Sequence, residues 1–264
     1  MARPHIEFVN VLNVPEREVT DGAFAGAFRR TLSEDDESGA YTAVVSLPPG
    51  WKADLNDSPR PFEVFGLDGA FTLAGQILGP GDYAYAGTDN ADRVLSAAAP
   101  ALVLVMLEEE REPAGPTKPI EVIDSNRMSW EQHEFTDADP GVLNKILRID
   151  PETGDWTWLS GAVRGRREGR EEIHSAVEES LCLRGDCLLG KRGGMGPGDY
   201  FWRPGRIPHG PLTSINGNLI FNRSKGGGMD LKQFEVPGGQ GMIDTYLARE
   251  PFFNVRGVLH DFGK

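Results

Sequence analysis

Cysteine is scarce in this sequence, with Cys182 and Cys187 the two present among 264 residues. They do not form a Cys-x-x-Cys pair, and no further cysteine could complete a cysteine-based zinc site. If both lie on one strand, their odd spacing puts the side chains on opposite faces, which disfavours a disulfide between them. Unpaired cysteines are typical of a reducing compartment, so we expect a cytoplasmic protein.

Long apolar runs are also absent. No stretch approaches the roughly 18 apolar residues of a membrane span. The N-terminal segment carries Arg3 and Glu7 and has no run of about seven apolar residues, as a signal peptide would. We therefore expect neither a signal peptide nor a membrane partner.

Positive charge is in deficit, with 27 Lys and Arg against 40 Asp and Glu and a formal net charge of −13. A protein this acidic repels a phosphate backbone, so nucleic acid is not an expected partner. The only dense basic run has its arginines at 164, 166, 167 and 170, with Arg166 among them, and is interleaved with the glutamates at 168, 171 and 172. Mixed-charge runs are usually solvated, so this one is predicted to be a surface loop.

The sequence does contain an internal repeat. Gly-Pro-Gly-Asp-Tyr occurs at residues 79–83 and again at 196–200, and a strand-like run that ends in glycine precedes each copy, at 62–69 and 178–185. The two pairs of anchors are separated by nearly the same distance along the chain. Such self-similarity indicates a duplication.

Glycine and proline are abundant, at 33 and 19 residues, which favours short strands joined by frequent turns. Each copy is typical of a β-barrel or jelly roll. The predicted fold is therefore all-β, with two such domains in tandem at residues 1–115 and 116–264. A charged, proline-rich stretch at about 108–124 forms the predicted join.

The second copy carries a recognisable pair of motifs. The first contains Glu172, His174 and Glu178, with a glycine seven residues after the last of these; the second runs from the Pro-Gly-Asp turn through Arg-Pro-Gly-Arg-Ile-Pro to His209. These motifs resemble those of the cupins, particularly the ChrR-like anti-sigma-factor type. The family's first motif begins His-x-His, and here the leading position is Glu172. The resemblance covers most of residues 155–225 and, more weakly, 40–107, and it implies two cupin barrels.

The spacing of these residues is suited to a metal site. Residues two apart on a strand share a face, so Glu172 and His174 can both point into the barrel. Glu178 would enter on the next strand and His209 from a distant one. Imidazole and carboxylate suit Fe²⁺, Mn²⁺, Ni²⁺, Cu²⁺ or Zn²⁺, and two His with one carboxylate is the arrangement of many non-haem iron oxygenases. We predict His174, Glu178 and His209 as ligands, with Fe²⁺ favoured.

Two residues are further candidates, both for catalysis. Glu172 could be a fourth ligand, a group that orients a ligand, a general base, or an exposed loop carboxylate. Arg223 could hold a carboxylate or enolate oxygen of a substrate if it faces inward; the alternative is a surface arginine. Glu179 should face outward by alternation, unless a bulge reverses the register.

The first copy lacks the ligand pattern. When the two copies are aligned on their glycines and prolines, other residue types take the places of Glu172, His174, Glu178 and His209. The residues at these positions are Asn56, Ser58, Phe62 and Asp92. This copy is predicted to bind no metal and to cover the second barrel or provide a dimer surface.

The resemblance implies a metal-dependent enzyme acting on a small organic molecule, most commonly a dioxygenase-type oxidoreductase. Lyase, isomerase and decarboxylase chemistry occurs on the same fold, so the fold alone does not choose. Two alternatives remain open: a non-catalytic regulatory cupin that binds metal or a small molecule, and a structural protein whose residual ligands bind nothing. The expected partners are a small-molecule substrate and a second copy of the chain.

Overall fold

A computed structural model of the chain describes residues 3–113, 115–132, 141–227 and 229–235. Within these ranges the regular structure is β-strand, with single-turn 3-10 helices at Val11–Asn13, Ser125–Arg127 and Gly190–Arg192. The chain divides into two compact units. The predicted all-β fold with two barrels in tandem is confirmed.

The described residues contain no helix with the length and apolar character needed to cross a membrane.

Unit 1 contains residues 3–4 and 11–128 of the described chain. It has a seven-stranded sheet, in the order β12-β9-β6-β11-β4-β3-β2, and a four-stranded sheet, in the order β5-β10-β7-β8. The strands are β2 (Arg17–Glu18), β3 (Phe28–Glu34), β4 (Tyr41–Leu47), β5 (Trp51–Asp54), β6 (Phe62–Asp68), β7 (Phe71–Leu73), β8 (Gln76–Leu78), β9 (Asp82–Ala86), β10 (Val94–Ala97), β11 (Ala101–Leu107) and β12 (Val122–Asp124).

The apolar core of unit 1 is shared by these two sheets. Alternate residues of a strand face the same side, and β4 therefore contributes Ala43, Val45 and Leu47 to the core. Phe71 and Leu73 of β7 come from the other sheet. Burying such side chains stabilises the unit by about 25 cal/mol for each Å² of apolar surface removed from water.

Unit 2 contains residues 5–10 and the described residues from 129 to 235. A six-stranded sheet has the order β1-β19-β16-β21-β14-β13, and two smaller sheets pair β15 with β22 and place β17 between β18 and β20. The strands are β1 (Ile6–Asn10), β13 (Val142–Ile149), β14 (Trp156–Ala162), β15 (Arg170–Ile173), β16 (Val177–Gly185), β17 (Cys187–Leu189), β18 (Gly194–Met195), β19 (Asp199–Arg203), β20 (Leu212–Thr213), β21 (Asn218–Lys225) and β22 (Lys232–Glu235).

The units differ from the predicted domains, 1–115 and 116–264, in two places. Strand β1 lies in unit 2, where Ile6 pairs with Trp202 on β19. Strand β12 lies in unit 1, where Val122 pairs with Ala84 on β9. Both differences arise from hydrogen bonds between distant segments, which composition does not reveal. The part of the predicted second domain beyond residue 235 lies outside the described residues.

The repeated pentapeptide builds the same turn in both units. The carboxylate of Asp82 accepts a hydrogen bond from the amide of Gly79 at 2.7 Å, and that of Asp199 accepts one from Gly196 at 2.7 Å. The glycine before each aspartate has a positive φ, 89° in the first copy and 84° in the second, a conformation that side chains with a Cβ adopt rarely. The pentapeptide is thus a duplicated structural unit.

Candidate metal centre

Four segments bring the predicted ligands together at the inner side of unit 2. Glu172 lies on β15, Glu178 lies on β16, and His174 lies in the short connection between those strands. His209 follows β19, and its backbone forms two hydrogen bonds with that of Glu172, at 2.8 and 3.0 Å. The structure therefore places all four residues at one centre, although His209 lies about 30 residues further along the chain than the other three.

The Arg-Pro-Gly-Arg turn of the second motif packs closely on the segment that carries His174. The amide of Arg206 donates to the carbonyl of His174 at 2.7 Å. A Cβ on Gly205 would lie 2.0 Å from the carbonyl oxygen of Ser175. Glycine is therefore required at this position for the turn to hold His174 and His209 side by side.

The side chains of His174, Glu178 and His209 are buried, and each offers a ligand atom within 4.8 Å of the others. The Nε2 atoms of His174 and His209 lie 3.4 and 3.7 Å from Oε2 of Glu178. The two imidazole rings are nearly perpendicular, at 81°. This is a compact donor set of two nitrogens and a carboxylate.

The ring nitrogens of both histidines are arranged as in metal ligands. Nδ1 of His174 lies 2.9 Å from the carbonyl oxygen of Ala176, and Nδ1 of His209 lies 3.0 Å from that of Ile207. A carbonyl oxygen only accepts, so each Nδ1 carries a proton, which leaves Nε2 as the nitrogen of each ring that can bind a metal. Such backbone contacts fix the tautomer of metal-bound histidines.

Two further observations fit a cation at this centre. Nε2 of His174 is buried and has no hydrogen-bond partner among the described residues, and buried polar atoms are rarely left in that state. Oε1 of Glu172 lies 3.1 Å from Nε2 of His209. Two acceptors at that distance repel unless a proton or a cation lies with them, so the residues present fit a divalent metal ion.

The carboxylate of Glu178 is ionised at neutral pH. Burial alone would raise its pKa, but the imidazole of His174 at 3.4 Å and the charges of His209 and Arg203 outweigh burial and lower the pKa to about 2. Burial would also lower the pKa of His174, but Glu178 outweighs it, and the pKa is raised. A metal that binds here therefore competes with a proton for the ring of His174.

The structure narrows the alternatives for Glu172. Its side chain is buried, with 9% of the residue exposed, and it lines the cavity beside the centre. It is therefore not an exposed loop carboxylate. Its contact with His209 suits a fourth ligand, a group that orients His209, or a general base.

The structure does not bring Arg223, the candidate for substrate binding, to the centre. Nη1 of Arg223 donates to Oε1 of Glu179 at 2.9 Å, and both residues are buried. Asn222, the preceding residue on β21, lines the cavity. Because successive strand residues face opposite sides, Arg223 points away from the centre. It is not a surface arginine either, since only 2% of it is exposed.

Two arginines that were not predicted to be site residues lie at the site: one contacts Glu178 and the other lines the cavity. Arg203 lies opposite Glu178 on the neighbouring strand, is fully buried, and has Nη1 3.4 Å from Oε2 of Glu178. Arg203 lies two residues after the apolar Phe201, and residues two apart on a strand share a face. This spacing was the signal in the sequence that Arg203 faces inward. Arg166 was expected in a solvated loop; instead it is buried against Glu168 at 3.1 Å and lines the cavity.

A cavity of about 110 Å³ adjoins the centre. Its walls are mainly apolar and include Trp158, Phe201 and Ile220. Ser180 and Asn222 add a polar strip to the wall, joined by a hydrogen bond of 2.8 Å. The cavity therefore suits a small molecule with an apolar body and a few polar atoms.

Neither cysteine is poised for nucleophilic chemistry. Burial raises the pKa of Cys187, which lines the cavity, to about 12. Burial also raises the pKa of Cys182, which lies in the apolar cluster of unit 2. Both thiols are protonated at neutral pH and pack as small apolar side chains.

In unit 1, Arg93 contacts three of the residues that correspond to the predicted metal ligands of unit 2. The amide of Arg93 donates to Oδ1 of Asn56 at 2.7 Å, and its Nη1 donates to the carbonyl of Ser58 at 2.6 Å. Its guanidinium also bonds the carbonyl of Arg60 and lies 5.6 Å from the ring centroid of Phe62. A buried positive charge here repels a metal ion, which supports the prediction that this copy binds none.

Comparisons of the sequence with known proteins give one family match. The family model described as "Domain of unknown function (DUF4437)" matches residues 97–229. A search of the curated proteins finds no match. The ChrR-like type remains a prediction.

Several solved structures are similar to the whole chain. A protein from Nostoc punctiforme described as a putative dioxygenase has 22% identity and a TM-score of 0.72, over 90% of this chain and 89% of that one. A variant of oxalate decarboxylase from Bacillus subtilis has 9% identity and a TM-score of 0.56, over 93% and 85%. A cupin 2 conserved barrel domain protein from Leptotrichia buccalis has 11% identity and a TM-score of 0.56, over 84% and 97%. At these identities the likeness shows the cupin fold alone.

Proposed function

We propose that this chain, which belongs to the family described as a domain of unknown function (DUF4437), is a metal-dependent cupin enzyme that acts on a small organic molecule. The finer form of the proposal is a non-haem iron dioxygenase. The observation that carries it is the buried set of His174, Glu178 and His209, whose ligand atoms all lie within 4.8 Å of one another.

Three protein ligands leave coordination positions open, as catalytic sites require. A divalent metal held by these residues would supply a Lewis acid with room for a chelating substrate and for O₂. Two of the similar structures bear the names of a dioxygenase and a decarboxylase, which is compatible with such a site. Their names alone do not decide the reaction.

The chain's own residues would bind the substrate and move a proton. The apolar wall with Trp158 and Phe201 excludes water from the body of the substrate. Glu172 lies at the edge of the cavity, where its carboxylate can accept a proton from a hydroxyl or an enol. The volume of about 110 Å³ is smaller than the roughly 150 Å³ that admit a benzene ring, which favours short aliphatic chelators.

The role first predicted for Arg223 is better filled by Arg166. Arg166, Glu168 and Arg170 form a chain of ion pairs, at 3.1 and 3.5 Å, in which two guanidinium groups share one carboxylate. Arg166 also lines the cavity beside the centre. A buried guanidinium in this position can bind the carboxylate or enolate oxygen of a substrate.

We expect Arg166→Met to raise KM by roughly tenfold to a hundredfold for substrates with an acidic oxygen, since a charge-assisted hydrogen bond contributes about 1.5–3 kcal/mol. Neutral analogues should be unaffected. Arg164→Met, which changes an exposed arginine of the same segment, is the matched control. An equal KM change for acidic and neutral compounds in steady-state assays would show that Arg166 supports the fold rather than the substrate.

The proposed function is tested by metal content and oxygen uptake. Protein purified without added metal and then reconstituted with Fe²⁺ is expected to hold about one metal per chain by elemental analysis. The loaded protein should consume O₂ with a member of a panel of β-diketones, short 2-oxo acids and catechols, the aliphatic compounds first. Less than about a tenth of an equivalent after reconstitution would end the proposal, because a closely spaced two-histidine, one-carboxylate site retains divalent metals. Full metal content without turnover would favour a regulatory cupin.

A further inference from the structure

The first strand of the chain is built into the sheet that carries the metal centre. Strand β1 is hydrogen-bonded to β19, with Ile6 opposite Trp202 and Val9 opposite Tyr200. Two residues of β1, Glu7 and Phe8, thus face one residue of β19, and Phe8 has a φ of 60°. This is a β-bulge, a feature that re-aims side chains and is common beside active sites.

Glu7 contacts the arginine that holds the carboxylate ligand. Nη2 of Arg203 donates to Oε1 of Glu7 at 3.0 Å, while Nη1 of the same guanidinium lies 3.4 Å from Oε2 of Glu178. Arg203 is fully buried. One buried cation is therefore shared between the predicted ligand and a carboxylate from the N-terminal strand.

Glu7 is also connected to the other arm of the site. Nη1 of Arg192 lies 3.8 Å from Oε1 of Glu7, and the Nε and Nη2 atoms of Arg192 donate to the carbonyl of Pro208 at 3.0 and 2.6 Å. Pro208 directly precedes His209. One carboxylate thus reaches Glu178 through Arg203 and reaches the backbone next to His209 through Arg192.

We propose that Glu7 is a positioning residue of the metal centre, so that the N-terminal strand is part of the site; this rests on the metal-dependent function proposed above. With Glu7 present, Arg203 divides its donors between two carboxylates and leaves Glu178 able to bind metal. Without it, the buried guanidinium pairs with Glu178 alone and competes with the metal for that carboxylate. Arg192 also loses its charge partner, which loosens Pro208 and His209.

The position of Glu7 has a consequence for the organisation of the family domain. The family model matches residues 97–229, whereas β1 comprises Ile6–Asn10. A residue that completes the support of the centre therefore lies outside the matched segment. Loss of a group that orients a metal ligand typically weakens metal binding by about tenfold to a hundredfold, and we expect an effect of this size for Glu7.

The first measurement is Co²⁺ binding to the full chain, by titration against a chelator and by the visible absorption of the bound ion. Glu7→Gln is expected to weaken Co²⁺ binding by roughly tenfold or more and to shift the absorption bands. Glu7→Asp keeps the charge and should recover part of the affinity. Glu18→Gln, at an exposed strand position, is the matched control and should behave as the wild type. Unchanged affinity and bands in Glu7→Gln would overturn the proposal.

The second measurement uses the metal-free proteins and separates this inference from the proposed function. The amides of Arg206 and His209 are bonded to the backbone of the site, so hydrogen exchange in peptides spanning 204–210 reports on the support. Exchange should be faster in Glu7→Gln by about fivefold or more, and unchanged in Glu18→Gln. If the wild type takes up no Co²⁺, the proposed function fails. In that case equal exchange rates in Glu7→Gln and the wild type would reject the role of Glu7. Faster exchange in Glu7→Gln would uphold it. If Glu7→Gln does not fold, Glu7→Asp takes its place in both measurements, and wild-type behaviour of that variant overturns the proposal.

Discussion

Replacing His209 with alanine is expected to remove the bound metal while leaving unit 2 folded. The variant loses one of two nitrogen ligands, and the remaining His174 and Glu178 form an incomplete set. We expect metal content after reconstitution to fall from about one equivalent to less than a tenth, and oxygen consumption to fall below detection. Elemental analysis and an oxygen electrode measure the two quantities.

The fold should survive this change because alanine keeps the backbone hydrogen bonds that hold residue 209 against β15. Both hydrogen bonds to Glu172 use main-chain atoms, and alanine retains them. Far-UV circular dichroism should be unchanged, with a stability loss of about 1–2 kcal/mol for the smaller buried side chain. Arg206→Lys, at an exposed position of the same turn, is the control. A His209→Ala protein that retains a full equivalent of metal would place the metal elsewhere in the chain.

The second large effect is expected in unit 1, where Arg93→Met should lower the free energy of unfolding by about 2–4 kcal/mol. Methionine fills a similar volume but donates no hydrogen bonds, so the carbonyls of Ser58 and Arg60 lose their guanidinium donors. Each unsatisfied buried acceptor costs about 1–3 kcal/mol. Burial lowers the pKa of Arg93, which shows that its charge is itself costly, and removing that cost offsets part of the loss.

Thermal and urea unfolding measure this effect, with an expected fall in melting temperature of roughly 10 °C. Arg93→Lys keeps the charge but has a smaller set of donors, so it should fall between the wild type and Arg93→Met. Arg17→Met, on the exposed strand β2, controls for the loss of an arginine. A melting temperature equal to that of the wild type would mean that water satisfies the two carbonyls once the guanidinium is gone.

The local parts of the candidate centre could be predicted from sequence spacing. Alternation along β16 predicts that Glu178 faces inward and Glu179 outward, and the structure has Glu178 at the cavity and Glu179 bonded to Arg223 on the other face. The turn that ends in His209 was recognised as a motif, and its glycine packs against Ser175. The inward or outward direction of a strand residue and the short motif before His209 are local features, so the sequence shows them, whereas the contacts they make across the fold are long-range.

The supporting arginines could not be predicted in the same way. Whether Arg223, Arg166 or Arg203 faces the cavity depends on strand register and on which distant segment lies opposite. The direction of Arg223 therefore stayed open in the sequence, and the arginine beside Glu178 is Arg203, which pairs with it on the adjacent strand.

By itself the sequence determined the duplicated all-β fold, because the repeat and the alternation of side chains along strands can be recognised without knowledge of contacts. The set of residues that could bind metal came from the resemblance of two motifs to those of the cupins. Only the tertiary structure decided that β1 joins unit 2, that Arg93 lies among the vacated ligand positions of unit 1, and that Glu7 reaches the centre through Arg203. The physical reason is that each of these depends on hydrogen bonds or ion pairs between segments far apart in the chain, and burial makes such contacts strong without leaving a pattern in the local sequence.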